Sequence, residues 1–137
     1  YYDDSKGTNV GASVTAILGL AEEKVVLIAG GRDKHGAYAP LADAMKKKGR
    51  AAVLIGEAAS RIDDALSSVV PAHHASSMVA AVEMSRRLAR PHDAVLLSPA
   101  CSSFDMFRDY KHRGDEFVRA VRSLEASRPL SDGKASP

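Results

Sequence analysis

Three runs decide the fold: Val25-Val26-Leu27-Ile28-Ala29, Ala51-Ala52-Val53-Leu54-Ile55 and Ala94-Val95-Leu96-Leu97. Each is short, almost wholly apolar and without alternation, which is how strands covered on both faces read. Between and before them, apolar residues recur at helical spacing: Val10, Val14, Ile17 and Leu18; Leu41, Ala44 and Met45; Met78, Val82 and Leu88. Pro40 suits the first turn of the second helix, and Gly49 follows Lys46-Lys47-Lys48, cations that oppose the negative end of a helix. A further helix is expected over Arg61–Leu66, then a short strand at Ser68-Val69-Val70 broken by Pro71. Tyr1-Tyr2 reads as the tail of an initial edge strand. The last helix is expected from about Arg113 to Glu125, with Phe117, Val121 and Leu124 on one face, followed by a polar, disordered tail over 127–137. Strands alternating with helices of this length predict an α/β fold, a three-layer Rossmann-like sandwich around a mostly parallel open sheet.

The chain has 137 residues, 45% apolar and 26% charged, enough for one ordinary domain with a core. Nineteen Lys and Arg against 17 Asp and Glu leave a formal charge of +2, so attraction to nucleic acid or a membrane by bulk charge is not expected. One cysteine, Cys101, excludes an intrachain disulfide framework and a multi-cysteine zinc site. No apolar run approaches the roughly 20 residues of a membrane span, and Tyr1-Tyr2-Asp3-Asp4 does not open a signal peptide. A start in mid-pattern without methionine is what a piece of a longer chain would show.

Ligands of open parallel sheets bind beyond the carboxyl ends of the strands, which selects three loops. Asp3 to Asn9 opens a helix, and its backbone N–H groups, Lys6 and hydroxyls suit a phosphate or carboxylate; alternatively Thr8 or Asn9 only caps the helix. Gly30 to Tyr38 holds Arg32, Lys34 and His35 in a glycine-bounded turn, where glycines would let the backbone approach a ligand, or which is simply a solvated basic turn. Ser98 to Tyr110 carries small hydroxyl residues able to donate to a carboxylate. Cys101 reads as a small packed side chain in preference to a nucleophile. His73-His74, beside Pro71, reads as loop, with a metal site the minority reading, and neither a Walker A loop nor a dinucleotide fingerprint is present.

Taken together, Asp4-Ser5-Lys6-Gly7-Thr8-Asn9, Gly30-Gly31 with Lys34, Ser98-Pro99-Ala100-Cys101-Ser102-Ser103-Phe104-Asp105 and His112-Arg113-Gly114 resemble the C-terminal domain of the Mur ligases, in particular their D-glutamate-adding branch. The resemblance runs from Tyr1 to about Leu124. It implies a Mur ligase C-terminal domain over 1–126, with the central ATPase and N-terminal UDP-binding domains outside this chain. The implied activity, in bacterial cytoplasmic synthesis of peptidoglycan precursors for cell shape and division, is ATP-dependent amide-bond formation between UDP-N-acetylmuramoyl-L-alanine and D-glutamate through an acyl phosphate. ATP and Mg2+ would be bound mainly by the central domain, the enzyme would be a monomer, and this domain alone would be inactive.

The same resemblance assigns roles. Asp4 matches an aspartate near the nucleotide ribose, and Lys6 the lysine facing the phosphates and the reacting centre, the one catalytic assignment. Thr8 and Lys34 match D-glutamate-binding positions, Lys34 as a carboxylate partner. Ser103 and Phe104 match residues lining the second carboxylate, and Tyr110 stands where an aromatic residue helps hold it through its backbone. No metal ligand is assigned. Departures are Gly7 where alanine is common and Tyr110 where phenylalanine is familiar. Two other classes compete: a stand-alone Rossmann-like module binding a small anion or nucleotide without catalysis, and a domain whose loops bind a protein.

Overall fold

The computed structural model describes residues 1–4, 9–32, 37–101 and 109–127. Along the chain these form β1 (Tyr2–Asp3), α1 (Val10–Gly19), β2 (Val25–Gly30), α2 (Ala39–Lys48), β3 (Gly49–Ile55), α3 (Ala59–Leu66), β4 (Ala72–His74), α4 (Met78–Leu88), β5 (Ala94–Leu97) and α5 (Tyr110–Ser127). The strands make one parallel sheet in the order β1-β5-β2-β3-β4.

The absence of alternation in the apolar runs now has its cause. Successive side chains of a strand point to opposite faces, and here both faces are covered. Val25, Leu27, Ala29, Leu54 and Leu96 pack with Ile17 of α1, Leu41 and Met45 of α2, and Ile62 and Leu66 of α3. Val26, Ile28, Val53, Ile55, Val95 and Leu97 pack with Met78 and Val82 of α4 and Phe117 of α5. Burial of each such side chain is worth about 1.5–3 kcal/mol, so stability resides in β2, β3 and β5 and not in the two-residue β1. A crossover of fixed hand puts its helix on one face when the chain steps one way across the sheet and on the other when it steps back. The chain steps from β2 to β4 with its helices on the first face, then returns through α4 to insert β5 between β1 and β2.

Several local expectations change. Ser68-Val69-Val70 is not a strand: the N–H groups of Val69 and Val70 turn back to the Leu66 carbonyl at 2.8 and 3.0 Å, continuing the end of α3. The strand lies beyond Pro71, whose carbonyl accepts from Ala52 N–H at 2.9 Å and whose missing N–H is tolerated at a strand entrance. His73 and His74 are therefore on edge strand β4 and not in a loop, with His74 Nε2 2.8 Å from the Asp63 carboxylate. Gly49 ends α2 as expected, in extended conformation, φ −75° and ψ 134°. Space explains the glycine, because a Cβ there would sit 2.5 Å from the Met45 carbonyl oxygen and 2.9 Å from Val70. Helix α5 begins three residues before Arg113, at Tyr110, and includes Ser127; the rest of the expected tail lies outside the described residues.

The amino-terminal edge is tied by charge. Arg50, entering β3, donates from Nε and Nη2 to Asp93 at 2.9 and 3.3 Å, and the Arg90 N–H reaches the same carboxylate at 2.9 Å. The Arg50 hydrogen bond holds the Asp93 carboxyl below its ordinary range, partly opposed by desolvation and reinforced by the Arg90 N–H. A depressed folded-state value means stabilisation that is complete above the unfolded aspartate value of about 3.9 and fades as pH falls through the folded one. Urea unfolding of wild type and Asp93→Asn should therefore differ most near neutrality, wild type being more stable, and converge in acid; a gap that does not narrow with acidification would refute this. At the other end of the sheet, Gly30 has φ +123°, and a Cβ would lie 1.9 Å from the Ile55 carbonyl oxygen. Gly30→Ala, combining a strained φ with a backbone clash, should cost about 3 kcal/mol or more in the same measurement.

Candidate functional site at the carboxyl edge of the sheet

Because β5 lies between β1 and β2, the segments leaving those three strands are neighbours at one edge. Those after β1 and β2 lead to helices on one face, and the segment after β5 leads to α5 on the other. Such a divergence opens the crevice in which parallel sheets bind ligands. Backbone hydrogen bonds carry the sheet past its ladders here: Asp4 N–H to Leu97 O at 2.7 Å, Ser98 N–H to Ile28 O at 3.2 Å and Gly30 N–H to Pro99 O at 2.9 Å.

Asp4 stands at the end of β1. Its Oδ2 is 2.8 Å from Ser98 Oγ, which is 2.9 Å from Ser13 Oγ in α1; Ser13 Oγ also lies 3.0 Å from the Ser98 carbonyl oxygen. Both serines are completely buried. The first turn of α1 is capped by Asn9, whose Oδ1 accepts from Ala12 N–H at 2.8 Å. The capping reading thus holds for Asn9.

In the second segment, Gly30 and Gly31 have φ +123° and +145°. Gly30 permits a close approach to the Ile55 backbone. Tyr38, buried at the start of α2, brings its hydroxyl within 3.4 Å of Cys101 Sγ, while Arg61 lies 5.7 Å from the Tyr38 ring centroid. Cys101 is 1% exposed, a packed thiol as expected. It follows Ala100, held at φ +63°, an uncommon backbone state for a residue with a Cβ. Arg113 of α5 is completely buried and donates from Nη1 to the Cys101 carbonyl at 2.9 Å. A guanidinium is rarely buried without such fixed acceptors, so Arg113 fastens the start of the third segment to α5.

Of the residues singled out in the sequence, Asp4 is at this edge, and Tyr110 opens α5 immediately beyond the third segment. Lys6, Thr8, Lys34, Ser103 and Phe104 lie outside the described residues. Ser13, Ser98, Tyr38 and Arg113 were not given roles, though two left a signal. Ser13 shares the inward stripe of Val10 and Ile17, and Arg113 that of Phe117 and Val121, so each is a polar residue where the period demands an apolar one.

A cavity of about 640 Å³ lies at the opposite edge, walled by residues 21–24, Arg50 and 91–93. It is an open surface beside the Arg50–Asp93 ion pair, away from the strand ends where parallel sheets bind ligands, and we assign the site on topology. Among the described residues no three His, Cys, Asp or Glu side chains cluster to hold a metal ion, and no helix is long and apolar enough to cross a membrane.

Comparison with known proteins agrees with this architecture. Residues 1–101 match the family described as Mur ligase, glutamate ligase domain. A UDP-N-acetylmuramoylalanine–D-glutamate ligase of Nitrosospira multiformis is 55% identical over 129 residues, covering 93% of this chain and 27% of that protein. Proteins of the same name from Geotalea daltonii and Legionella pneumophila strain Lens are each 50% identical, over 124 and 127 residues, covering 90% of this chain and 27% and 28% of theirs. The chain thus spans little more than a quarter of the length of these relatives. With a family match over most of its length, laid on the sheet whose strand ends carry the quoted motifs, the chain belongs to the Mur ligase family through its glutamate ligase domain.

Proposed function

We propose that this domain is the D-glutamate-handling part of an ATP-dependent ligase that joins D-glutamate to UDP-N-acetylmuramoyl-L-alanine in the bacterial cytoplasm, acting as a monomer. The observation that carries the reading is the identity of 55% over 93% of the chain to a protein named for that activity. In this reading the alanine carboxylate is activated as an acyl phosphate, and the D-glutamate amine attacks it through a tetrahedral intermediate with loss of phosphate. ATP and magnesium are held chiefly by a central domain, where the metal balances the charge of the transferring phosphoryl group.

This chain contributes positioning. A dicarboxylate needs two separated donor sets, and the segments after β1, β2 and β5 start from one sheet edge. We assign Thr8 and Lys34 to one carboxylate, and Ser103, Phe104 and the Tyr110 backbone to the other; fixing both leaves only one enantiomer with its amine aimed correctly. Lys6 faces the phosphates and the reacting centre. Asp4 faces the ribose, and its chemistry fits: Ser98 occupies Oδ2, and a carboxylate has further acceptor capacity for a sugar hydroxyl.

The test is steady-state kinetics on the full-length ligase carrying this domain. Lys34→Ala should raise the KM for D-glutamate by about tenfold or more, the scale of losing one charge-assisted hydrogen bond, with the KM for ATP nearly unchanged. Unaltered D-glutamate kinetics would remove Lys34 from the site, and absence of ligase activity with these substrates in the wild-type enzyme would overturn the whole reading.

A further inference from the structure

The strand that delivers Asp4 is held only weakly by its own backbone. Strand β1 has two ladder positions, Tyr2 and Asp3, opposite Leu96 and Leu97, and among the described residues pairs with no strand but β5. The Asp4 N–H adds one more bond, to Leu97 O. None of these sets the direction of the Asp4 carboxylate. That direction is set from beneath by Ser98 and Ser13, both 0% exposed.

Proton counting fixes the polarity of the chain. Each hydroxyl carries one proton, and a carboxylate only accepts. Ser98 therefore gives its proton to Asp4 Oδ2, 2.8 Å away, and must act as acceptor towards Ser13. Ser13 has two acceptors in reach, Ser98 Oγ at 2.9 Å and the Ser98 carbonyl at 3.0 Å, and both belong to the same residue. Either way the Ser13 proton is delivered to Ser98, at its carbonyl or its hydroxyl oxygen, and the Ser98 proton goes on to Asp4. The three members of the chain come from α1, the end of β5 and the end of β1, so any shift of β5 against β1 reaches the carboxylate.

We infer that Ser98, backed by Ser13, is a positioning residue for nucleotide: it holds one oxygen of Asp4 so that the other is presented in a fixed direction to a ribose hydroxyl. The inference rests on the reading of Asp4 as a ribose contact. Ser98 does not touch the nucleotide; it acts through Asp4. The hydroxyls aim the Asp4 carboxylate and, among the described residues, bond to no side chain assigned to D-glutamate, so the expected effect is selective for ATP.

The experiment compares Ser98→Ala, Ser13→Ala, Asp4→Asn and the Ser98→Ala/Asp4→Asn double variant in the full-length ligase, with urea unfolding as a check of fold. Ser98→Ala should raise the KM for ATP by about three- to tenfold, less than the roughly tenfold or more that one hydrogen bond to a charged group is worth because Ser98 acts through Asp4, and leave the KM for D-glutamate within about twofold. Ser13→Ala should produce a smaller shift of the same kind. In the Asp4→Asn background the Ser98→Ala shift should disappear, and Ser98→Ala should discriminate less than wild type against ATP lacking a ribose hydroxyl. A raised KM for ATP in Asp4→Asn with an unchanged one in folded Ser98→Ala would overturn the inference and leave the ribose reading standing. An unchanged KM for ATP in Asp4→Asn would overturn both. Equal rises for ATP and D-glutamate would show a merely structural seal and also overturn it. Should Ser98→Ala fail to fold, Ser13→Ala decides, and an unchanged KM for ATP in that folded variant counts against the inference.

Discussion

The insertion of β5 between β1 and β2 is the constraint on which the rest depends. Only four residues long, β5 is the one strand paired with β1 among the described residues, and it buries Leu96 on one face of the sheet and Leu97 on the other. Without it the sheet would end at β2, and the segment carrying Asp4 would have no ladder to follow. The insertion requires a long return from β4, and the hand of parallel crossovers then places α4 on the face opposite α1, α2 and α3. One topological step thus builds the third layer and brings the three segments together.

Stability and chemistry occupy opposite ends of these strands. At the amino edge, Arg50 and Asp93 join the entrances of β3 and β5 across β2. The carboxyl edge is built otherwise. Ala100 holds a left-handed backbone, Gly30 and Gly31 are at positive φ, and Arg113 is buried to secure the Cys101 carbonyl. Burying a guanidinium costs free energy that a strand end with no further task would not incur, and a segment so fastened holds its groups in place before a ligand arrives.

Elements were legible in the sequence where the pattern was long and physical: the three apolar runs are β2, β3 and β5, and the amphipathic stretches are the helices between them. Misreadings fell where a local signal had two outcomes. Val69 and Val70 have the composition of a strand, but the Leu66 carbonyl captures their N–H groups first, and pairing with β3 starts only after Pro71. Gly49 does end α2, and the crowding by Met45 and Val70 that keeps it small has no signal in the sequence. The site was legible as three loops, through topology, and not as contacts. No periodicity connects Asp4 with Ser98, 94 positions away; only the strand order does. Arg113 could have been noticed, since a charge on the stripe of Phe117 and Val121 must be buried with a partner or break the helix packing.

The fold by itself would serve many ligands, since a parallel sheet supplies a crevice and not a chemistry. What narrows the choice is the sign of the groups at the edge. Asp4 can only accept hydrogen bonds, and with one oxygen taken by Ser98 it suits a hydroxyl and repels a phosphate or carboxylate placed against it. In the proposed function the anionic parts of the ligands are met instead by Lys6 and Lys34, which the sequence assigns to the segments after β1 and β2. In that reading, an acceptor placed among donors tells the sugar of a nucleotide from its phosphates and from an amino-acid carboxylate. The proposed discrimination works only if the acceptor keeps its direction, which would make the buried hydroxyls beneath Asp4 as much a part of recognition as the groups that touch ligand.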